Sequence, residues 1–262
     1  MQGNVQVEGL DIPYLLSLPT GKAIKSKTHP LLVMPHGGPI GVFDSAFFDP
    51  SIQFLNANGY AVLQVNFRGS SGHSQALKEA GKKQWGKLIL NDIHQVTKEV
   101  VQRDDISSRK VCLFGMSYGG YASTMLLIQY PDVYRCAVNV SGVSDINLYL
   151  NSPYLTGRQI AWTREYIGDP LHSYDELKTP SPVYNVGKLI RPLLIMHGEK
   201  DKIVQVEQAH RLRKALDVYE RPYEWKLFPE MGHSFNEKKQ AIELFSKAME
   251  LIGKKIAEKE EQ

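Results

Sequence analysis

The residues with the clearest chemical potential are Gly115-Met116-Ser117-Tyr118-Gly119, a Gly-x-Ser-x-Gly pentapeptide fed directly by the apolar run Val111–Phe114. A strand that empties into this pattern makes a turn so tight that its central residue is strained. The glycines two positions before and after it let neighbouring backbone approach with no Cβ in the way. Such a turn lifts the Ser117 hydroxyl clear of the strand. Residues Tyr121 to Tyr130 continue as a helical pattern, whose N-terminal N–H groups would face the serine and meet a developing oxyanion. An ordinary strand-to-helix turn can carry the same five residues, so the pentapeptide needs partners elsewhere in the chain.

A serine hydroxyl is a weak nucleophile at neutral pH, and it requires a histidine base, an acid to orient that base, and donors for the oxyanion. The chain offers them in the order Ser, Asp, His. Asp201 stands in His197-Gly-Glu-Lys-Asp201, just after the apolar run Leu193–Met196. His233 stands in Phe228-Pro-Glu-Met-Gly-His233, after the next apolar run and before the last helical pattern. This is the chain order of α/β-hydrolases and differs from the two other common triad orders. Glu199 is a rival for the acid; Asp201 is favoured because Ile203-Val204 after it can pack and fix its loop. Asp145, beyond the run ending at Val140, is a further alternative, and Glu230 reads as a solvated loop carboxylate. Among the histidines, His94 and His210 fall in helical patterns, His29 and His172 in loops, and His197 at a hydrogen-bonded turn. His73 lies near the rim of the expected site. Pro35-His36-Gly37-Gly38-Pro39 follows the run Leu31–Met34, and its glycines can turn backbone N–H groups into a small concavity. The backbone N–H of Tyr118 would be the second donor.

Positioning these groups requires a sheet. Leu31–Met34, Ala61–Val65, Val111–Phe114, Ala137–Val140 and Leu193–Met196 are short continuous apolar runs that alternate with helical patterns. Strands buried on both faces look like this, and parallel sheets covered by helices are where they occur. The first thirty residues read as antiparallel β, with Asp11–Pro19 as one strand and Gly21–His29 as a polar loop. Helices are expected over Ser51–Asn58, Asn91–Arg103, Val206–Asp217 and Asn236 to about Lys259, the last presenting Ile242, Leu244, Phe245, Met249, Ile252 and Ile256 to the sheet. Between Ser144 and Tyr184 the periodicity fails, and this stretch reads as an excursion over the strand ends that shapes a substrate pocket.

The length of 262 residues suits one α/β domain spanning 1–262. A net charge of +3 is too small and too evenly spread to point to nucleic acid or an anionic membrane. No apolar stretch is long enough to span a bilayer, and residues 1–9 lack the regions of a signal peptide, so a cytoplasmic location is expected. Cys112 and Cys136 both lie in apolar runs, where cysteine packs as a small hydrophobe; a disulfide is the lesser expectation. Neither the cysteines nor the eight histidines show metal-ligand spacing, so no metal and no cofactor are expected.

Five segments carry a more selective signal: His36-Gly-Gly-Pro39, Val65-Asn-Phe-Arg-Gly-Ser-Ser-Gly72, Gly115-Met-Ser-Tyr-Gly-Gly-Tyr121, Ser181-Pro-Val183 with Ile190 to Asp201, and Gly232-His233. With these the chain resembles the catalytic domain of the prolyl oligopeptidase family of serine peptidases, nearest its acylaminoacyl-peptidase and dipeptidyl-peptidase branches, from about Asp11 to the last helix. The resemblance implies an α/β-hydrolase fold with helices on both faces of a mostly parallel sheet. It implies Ser117 as nucleophile, Asp201 and His233 as its partners, Gly38 and Tyr118 as the oxyanion hole, and Arg68 as a substrate-positioning or loop-fixing group. Members of that family usually carry a gating β-propeller, for which this chain has no room. A free-standing hydrolase and a catalytic piece of a longer protein therefore both stay open, as does a homo-oligomer whose second copy replaces the gate.

The resulting expectation is a serine hydrolase acting on oligopeptide or acyl-peptide substrates, with a carboxylesterase acting on small esters as the nearest alternative. Tyr118, Tyr121, Trp162 and Ile203 would form an apolar substrate pocket. A binding module on an inactive hydrolase scaffold is the reading from another class, and it is disfavoured because no triad member is missing.

Overall fold

The computed structural model describes residues 1–20, 28–235 and 237–258. The alternation of apolar runs and helical patterns resolves into one eight-stranded sheet. Its strands are β1 (Gln2–Val7), β2 (Leu10–Ser17), β3 (His29–Val33), β4 (Ala61–Val65), β5 (Ile106–Met116), β6 (Cys136–Val140), β7 (Leu193–Gly198) and β8 (Tyr223–Phe228). The spatial order is β1-β2-β4-β3-β5-β6-β7-β8. Pairings β1–β2 and β2–β4 are antiparallel and the rest are parallel, so the first two strands extend an otherwise parallel sheet. The continuous apolar runs are explained directly, because the central strands are buried on both faces.

Successive residues of a strand point to opposite faces, so each strand feeds two cores. Leu31, Val33, Val111 and Leu113 pack beneath α3 (Leu88–Val100), α4 (Tyr118–Gln129) and α8 (Glu207–Val218). Leu32, Cys112, Phe114, Val138 and Leu194 pack beneath α1 (Pro50–Ala57) and α9 (Lys238–Ala257). On α9, Leu244, Ile252 and Ile256 are buried and Phe245 and Met249 are partly covered. Ile242 departs from the expected sheet-facing stripe and is 57% exposed, because it lies at the edge of the helix's apolar arc.

Two further expectations are corrected. The stretch 144–184 is not irregular: it contains α5 (Ile146–Leu150), α6 (Gly157–Tyr166) and α7 (Tyr174–Lys178). Helices of one to three turns are too short to establish a periodic pattern, as is α2 (Gln75–Glu79) near the end of β4. The cysteines do not pack separately. The parallel register sets Cys112 opposite Cys136 on the same face of β5 and β6, with Cα atoms 4.9 Å apart, and the two are joined in a disulfide. The Gly21–His29 loop falls largely on residues outside the described ones, as do the expected first and last residues of the final helix, and His29 itself begins β3.

Candidate active site

The Gly-x-Ser-x-Gly turn joins β5 to α4 at the carboxyl end of the sheet, with Ser117 as the residue that caps the helix. Ser117 has φ 58° and ψ −124°, a left-handed backbone that a serine adopts only where its surroundings enforce it. Those surroundings can be named. The Ser117 N–H donates to the Val140 carbonyl at 2.9 Å, tying the turn to β6. A Cβ on Gly115 would lie 2.1 Å from the Gly119 carbonyl oxygen, and one on Gly119 would lie 2.1 Å from that of Pro35. Both glycines are thus required by close backbone approach. Behind the turn, buried Asn139 accepts from the Gly142 N–H (2.9 Å) and donates to Thr124 Oγ1 (2.8 Å), which donates to the Gly120 carbonyl (2.9 Å). This clamp was not anticipated; its only sequence signal is a polar residue inside the run Ala137-Val-Asn-Val140.

The loops after β7 and β8 bring in the other two groups. His233 places Nε2 2.9 Å from Ser117 Oγ and Nδ1 2.7 Å from Asp201 Oδ2. Asp201 is an acceptor only, so the imidazole donates Nδ1–H to it and turns the Nε2 lone pair to the serine hydroxyl. The other carboxylate oxygen of Asp201 accepts from the N–H groups of Ile203 (2.8 Å) and Val204 (2.9 Å). Buried His197 bolts this loop from below, with Nε2 2.7 Å from the Val204 carbonyl and 3.5 Å from Asp201 Oδ2. Burial alone would raise the Asp201 pKa. The hydrogen bonds from His197 and His233, the His233 charge and the Val204 N–H outweigh it and hold the carboxyl well below the usual carboxylate range.

The rivals are placed elsewhere. Glu199 is exposed, and Glu230 is exposed and paired with Lys200. Asp145 caps α5 and meets Arg211 at 3.0 Å and the Tyr184 hydroxyl at 3.1 Å. His73 packs edge-on against Phe43.

The segment 35–39 lies against the elbow. A Cβ built on Gly37 would sit 3.7 Å from Ser117 Cβ, and Gly38 has φ 118°. His36 anchors the segment: its ring stacks on Phe67 at 4.2 Å, Nδ1 donates to the Gly37 carbonyl at 2.7 Å, and Nε2 accepts from Ser70 Oγ at 2.8 Å. Burial lowers the His36 pKa to about 4 against the weaker opposing effect of the Gly37 bond, so this imidazole is neutral. Tyr118 opens α4, where backbone N–H groups have no acceptor within the helix.

The substrate-contact expectations fare less evenly. Arg68 turns inward: Nε and Nη2 form a two-pronged pair with Asp92 at 2.8 Å each, and its own N–H bonds the same carboxylate at 2.9 Å. That arrangement fixes the loop after β4. Tyr121 is fully buried and donates its hydroxyl to the Pro180 carbonyl at 2.9 Å. Tyr118 is buried between Trp85 and Phe67, so neither tyrosine ring lines an open pocket. Both are held there by the aromatic packing of α4, whose first turns are buried on every side. Trp162, on α6, is half-buried and stacks on Tyr166 at 5.1 Å. Ile203 is 57% exposed beside Asp201, so Val204 alone packs to fix that loop. Among the described residues no cluster of His, Cys, Asp or Glu is placed to hold a metal ion, and no helix is long and apolar enough to cross a membrane.

Comparison with known proteins follows the same lines. Residues 46–259 match the profile of the prolyl oligopeptidase family, peptidase family S9. The chain is 31% identical over 257 residues to the acylamino-acid-releasing enzyme of Homo sapiens, covering 95% of this chain and 34% of that one. It is 33% identical over 212 residues to dipeptidyl aminopeptidase BIII of Pseudoxanthomonas mexicana, covering 79% and 30%. It therefore spans about a third of the length of these relatives. The fold superposes on the acylaminoacyl peptidase of Pyrococcus horikoshii with a TM-score of 0.89 at 21% identity, covering 100% of this chain and 42% of that one. An eight-stranded, mostly parallel sheet with a serine turn at its carboxyl edge and a profile match over most of its length place this chain in the prolyl oligopeptidase family of α/β-hydrolases.

Proposed function

We propose that this chain hydrolyses oligopeptide or acyl-peptide bonds through an acyl-enzyme on Ser117, the activity named for its acylamino-acid-releasing relatives. The observation that carries the reading is the single imidazole of His233 spanning Ser117 Oγ (2.9 Å) and Asp201 Oδ2 (2.7 Å). As Ser117 Oγ attacks the substrate carbonyl, its proton passes to His233 Nε2, and Asp201 stabilises the imidazolium it does not deprotonate. Negative charge develops on the carbonyl oxygen, which the N–H groups of Gly38 and Tyr118 would receive. Collapse of the tetrahedral species returns the proton from His233 to the leaving nitrogen, and water then repeats the sequence on the acyl-enzyme with His233 as base. This reading assigns exposed Ile203, two residues past Asp201, and half-buried Trp162 on α6 as apolar contacts for the acyl side.

Labelling by a fluorophosphonate, together with hydrolysis of acetyl-alanine amides and of p-nitrophenyl esters, tests this reading. Wild type is expected to label at Ser117 and cleave both classes, and Ser117→Ala to do neither. Native-rate cleavage by Ser117→Ala, or no labelling of the folded wild type, would sink it. Ester cleavage without amide cleavage would favour the carboxylesterase, since amides depend on protonation of the leaving group by His233.

A further inference from the structure

A cavity of about 260 Å³ opens on the α1 and α9 side of the elbow. Its lining includes His36 and Gly37 of the oxyanion segment, Met116 next to the nucleophile, Phe235, two residues past His233, and Phe245 of α9. The position matters for the chemistry. A leaving group must sit within reach of His233 Nε2 to be protonated, so the chain beyond a scissile bond leads toward the space between the histidine loop and Gly37.

The walls are mainly apolar, yet two carboxylates, Asp44 and Asp49, also line the cavity, with Ser51 and Gln64 beside them. The Asp44 backbone is clasped twice by Asn66: the Asp44 N–H donates to Asn66 Oδ1 at 2.8 Å, and Asn66 Nδ2 donates to the Asp44 carbonyl at 3.0 Å. One prong of the Asp44 carboxyl is bonded by Gln64, while Oδ2 is buried with no partner among the described residues. No lysine or arginine is among the described residues lining the cavity. The charged and titratable groups near Asp44 are few. Asp49 caps α1 through the Ser51 and Ile52 N–H groups, His36 is neutral, and His73 and Tyr14 share the adjoining hollow; from α9 only Leu244 and Phe245 face the cavity. A carboxyl on a clasped backbone, with one buried oxygen that has no partner among the described residues, at the wall of a mainly apolar cavity is complementary to a long aliphatic stem ending in a cation.

On the serine-peptidase reading above, we propose that this cavity is a leaving-group pocket and that Asp44 selects there for a residue with an apolar stem and a positively charged end, such as lysine. Burial, opposed by the Gln64 bond and reinforced by Asp49, pushes the Asp44 carboxyl up to about 7. Asp44 is therefore neutral below that pH and charged above it, and the preference should strengthen as pH rises through 7.

The test compares acetyl-Ala-Lys-amide, acetyl-Ala-norleucine-amide and acetyl-Ala-Glu-amide between pH 5.5 and 8.5, with p-nitrophenyl acetate as a substrate that has no such side chain. Wild type should favour lysine over norleucine by about tenfold in kcat/KM at pH 8.5, as one charge-assisted contact provides. The ratio should fall toward one at pH 5.5, with glutamate the poorest throughout. Asp44→Asn should bring the ratio near one at every pH; if that variant does not fold, the wild-type pH dependence decides. A pH-independent ratio near one in wild type, or an undiminished ratio in Asp44→Asn, overturns the proposal. So does cleavage of the ester alone. Failure of folded wild type to cleave any of the four or to label at Ser117 refutes instead the serine-peptidase reading, and the pocket assignment falls with it.

Discussion

Replacing Asp201 by asparagine tests whether the loop after β7 sets the state of His233. In the native site one carboxylate oxygen faces His233 Nδ1 at 2.7 Å and the other accepts the N–H groups of Ile203 and Val204 at 2.8 and 2.9 Å. Asparagine has a single acceptor oxygen. The two loop donors should capture it, turning the amide NH2 toward Nδ1 and forcing the imidazole proton onto Nε2, where it cannot accept from Ser117. Flipping the amide restores the useful tautomer but takes the acceptor from both loop donors, the buried Val204 N–H and the part-buried Ile203 N–H, at up to about 1–3 kcal/mol each. The cost is then up to about 2–6 kcal/mol, which converts to a loss of roughly 30- to 3 × 10⁴-fold in kcat/KM. The assay is p-nitrophenyl ester hydrolysis at pH 7, with the folded fraction checked by circular dichroism and thermal melting. A folded Asp201→Asn protein within threefold of wild type would refute the reasoning, because it would show that His233 does not depend on this carboxylate for its tautomer.

Two further expectations concern stability. Arg68→Met should destabilise the fold by about 3–5 kcal/mol by leaving the Asp92 carboxylate buried and unpaired, and Arg68→Met/Asp92→Leu should recover much of that loss in urea unfolding. Additive losses, or a normally stable Arg68→Met that binds peptide poorly, would return Arg68 to a substrate role. His36 has a folded-state pKa of about 4, below its ordinary value near 6.5, so the unfolded chain takes up the proton first and stability falls as pH drops through this window. Between pH 6.5 and 5 that amounts to about 2 kcal/mol, and urea titrations of His36→Gln should show a correspondingly shallower pH dependence. His94, also lowered to about 4 by burial and by Lys98, acts in the same direction and remains in the variant. An unchanged slope would contradict the assignment of His36 as neutral and buried.

What the sequence determined was whatever depends on local backbone geometry and chain order. The elbow at Ser117 is legible because two close backbone approaches leave no room for side chains at Gly115 and Gly119, and that requirement is written in five consecutive residues. The parallel sheet is legible because strands buried on both faces cannot alternate polar and apolar residues. Which side chains meet across the fold was decided only by packing. Asp201 and Glu199 differ by two positions in one loop, yet one is buried against His233 and the other is in water. Arg68 and Tyr121 belong to motifs that suggest substrate contact. Their partners, Asp92 and the Pro180 carbonyl, lie 24 and 59 residues away and draw both side chains inside. Cys112 and Cys136 pair because the strand register sets them opposite one another, and Asp44 lines a cavity whose other walls come from the segment after β3, from β4, β5 and β6, from α1 and α9, and from the histidine loop. Spacing along a chain carries turn geometry and periodicity, whereas contact between distant residues is a product of how helices cover the sheet.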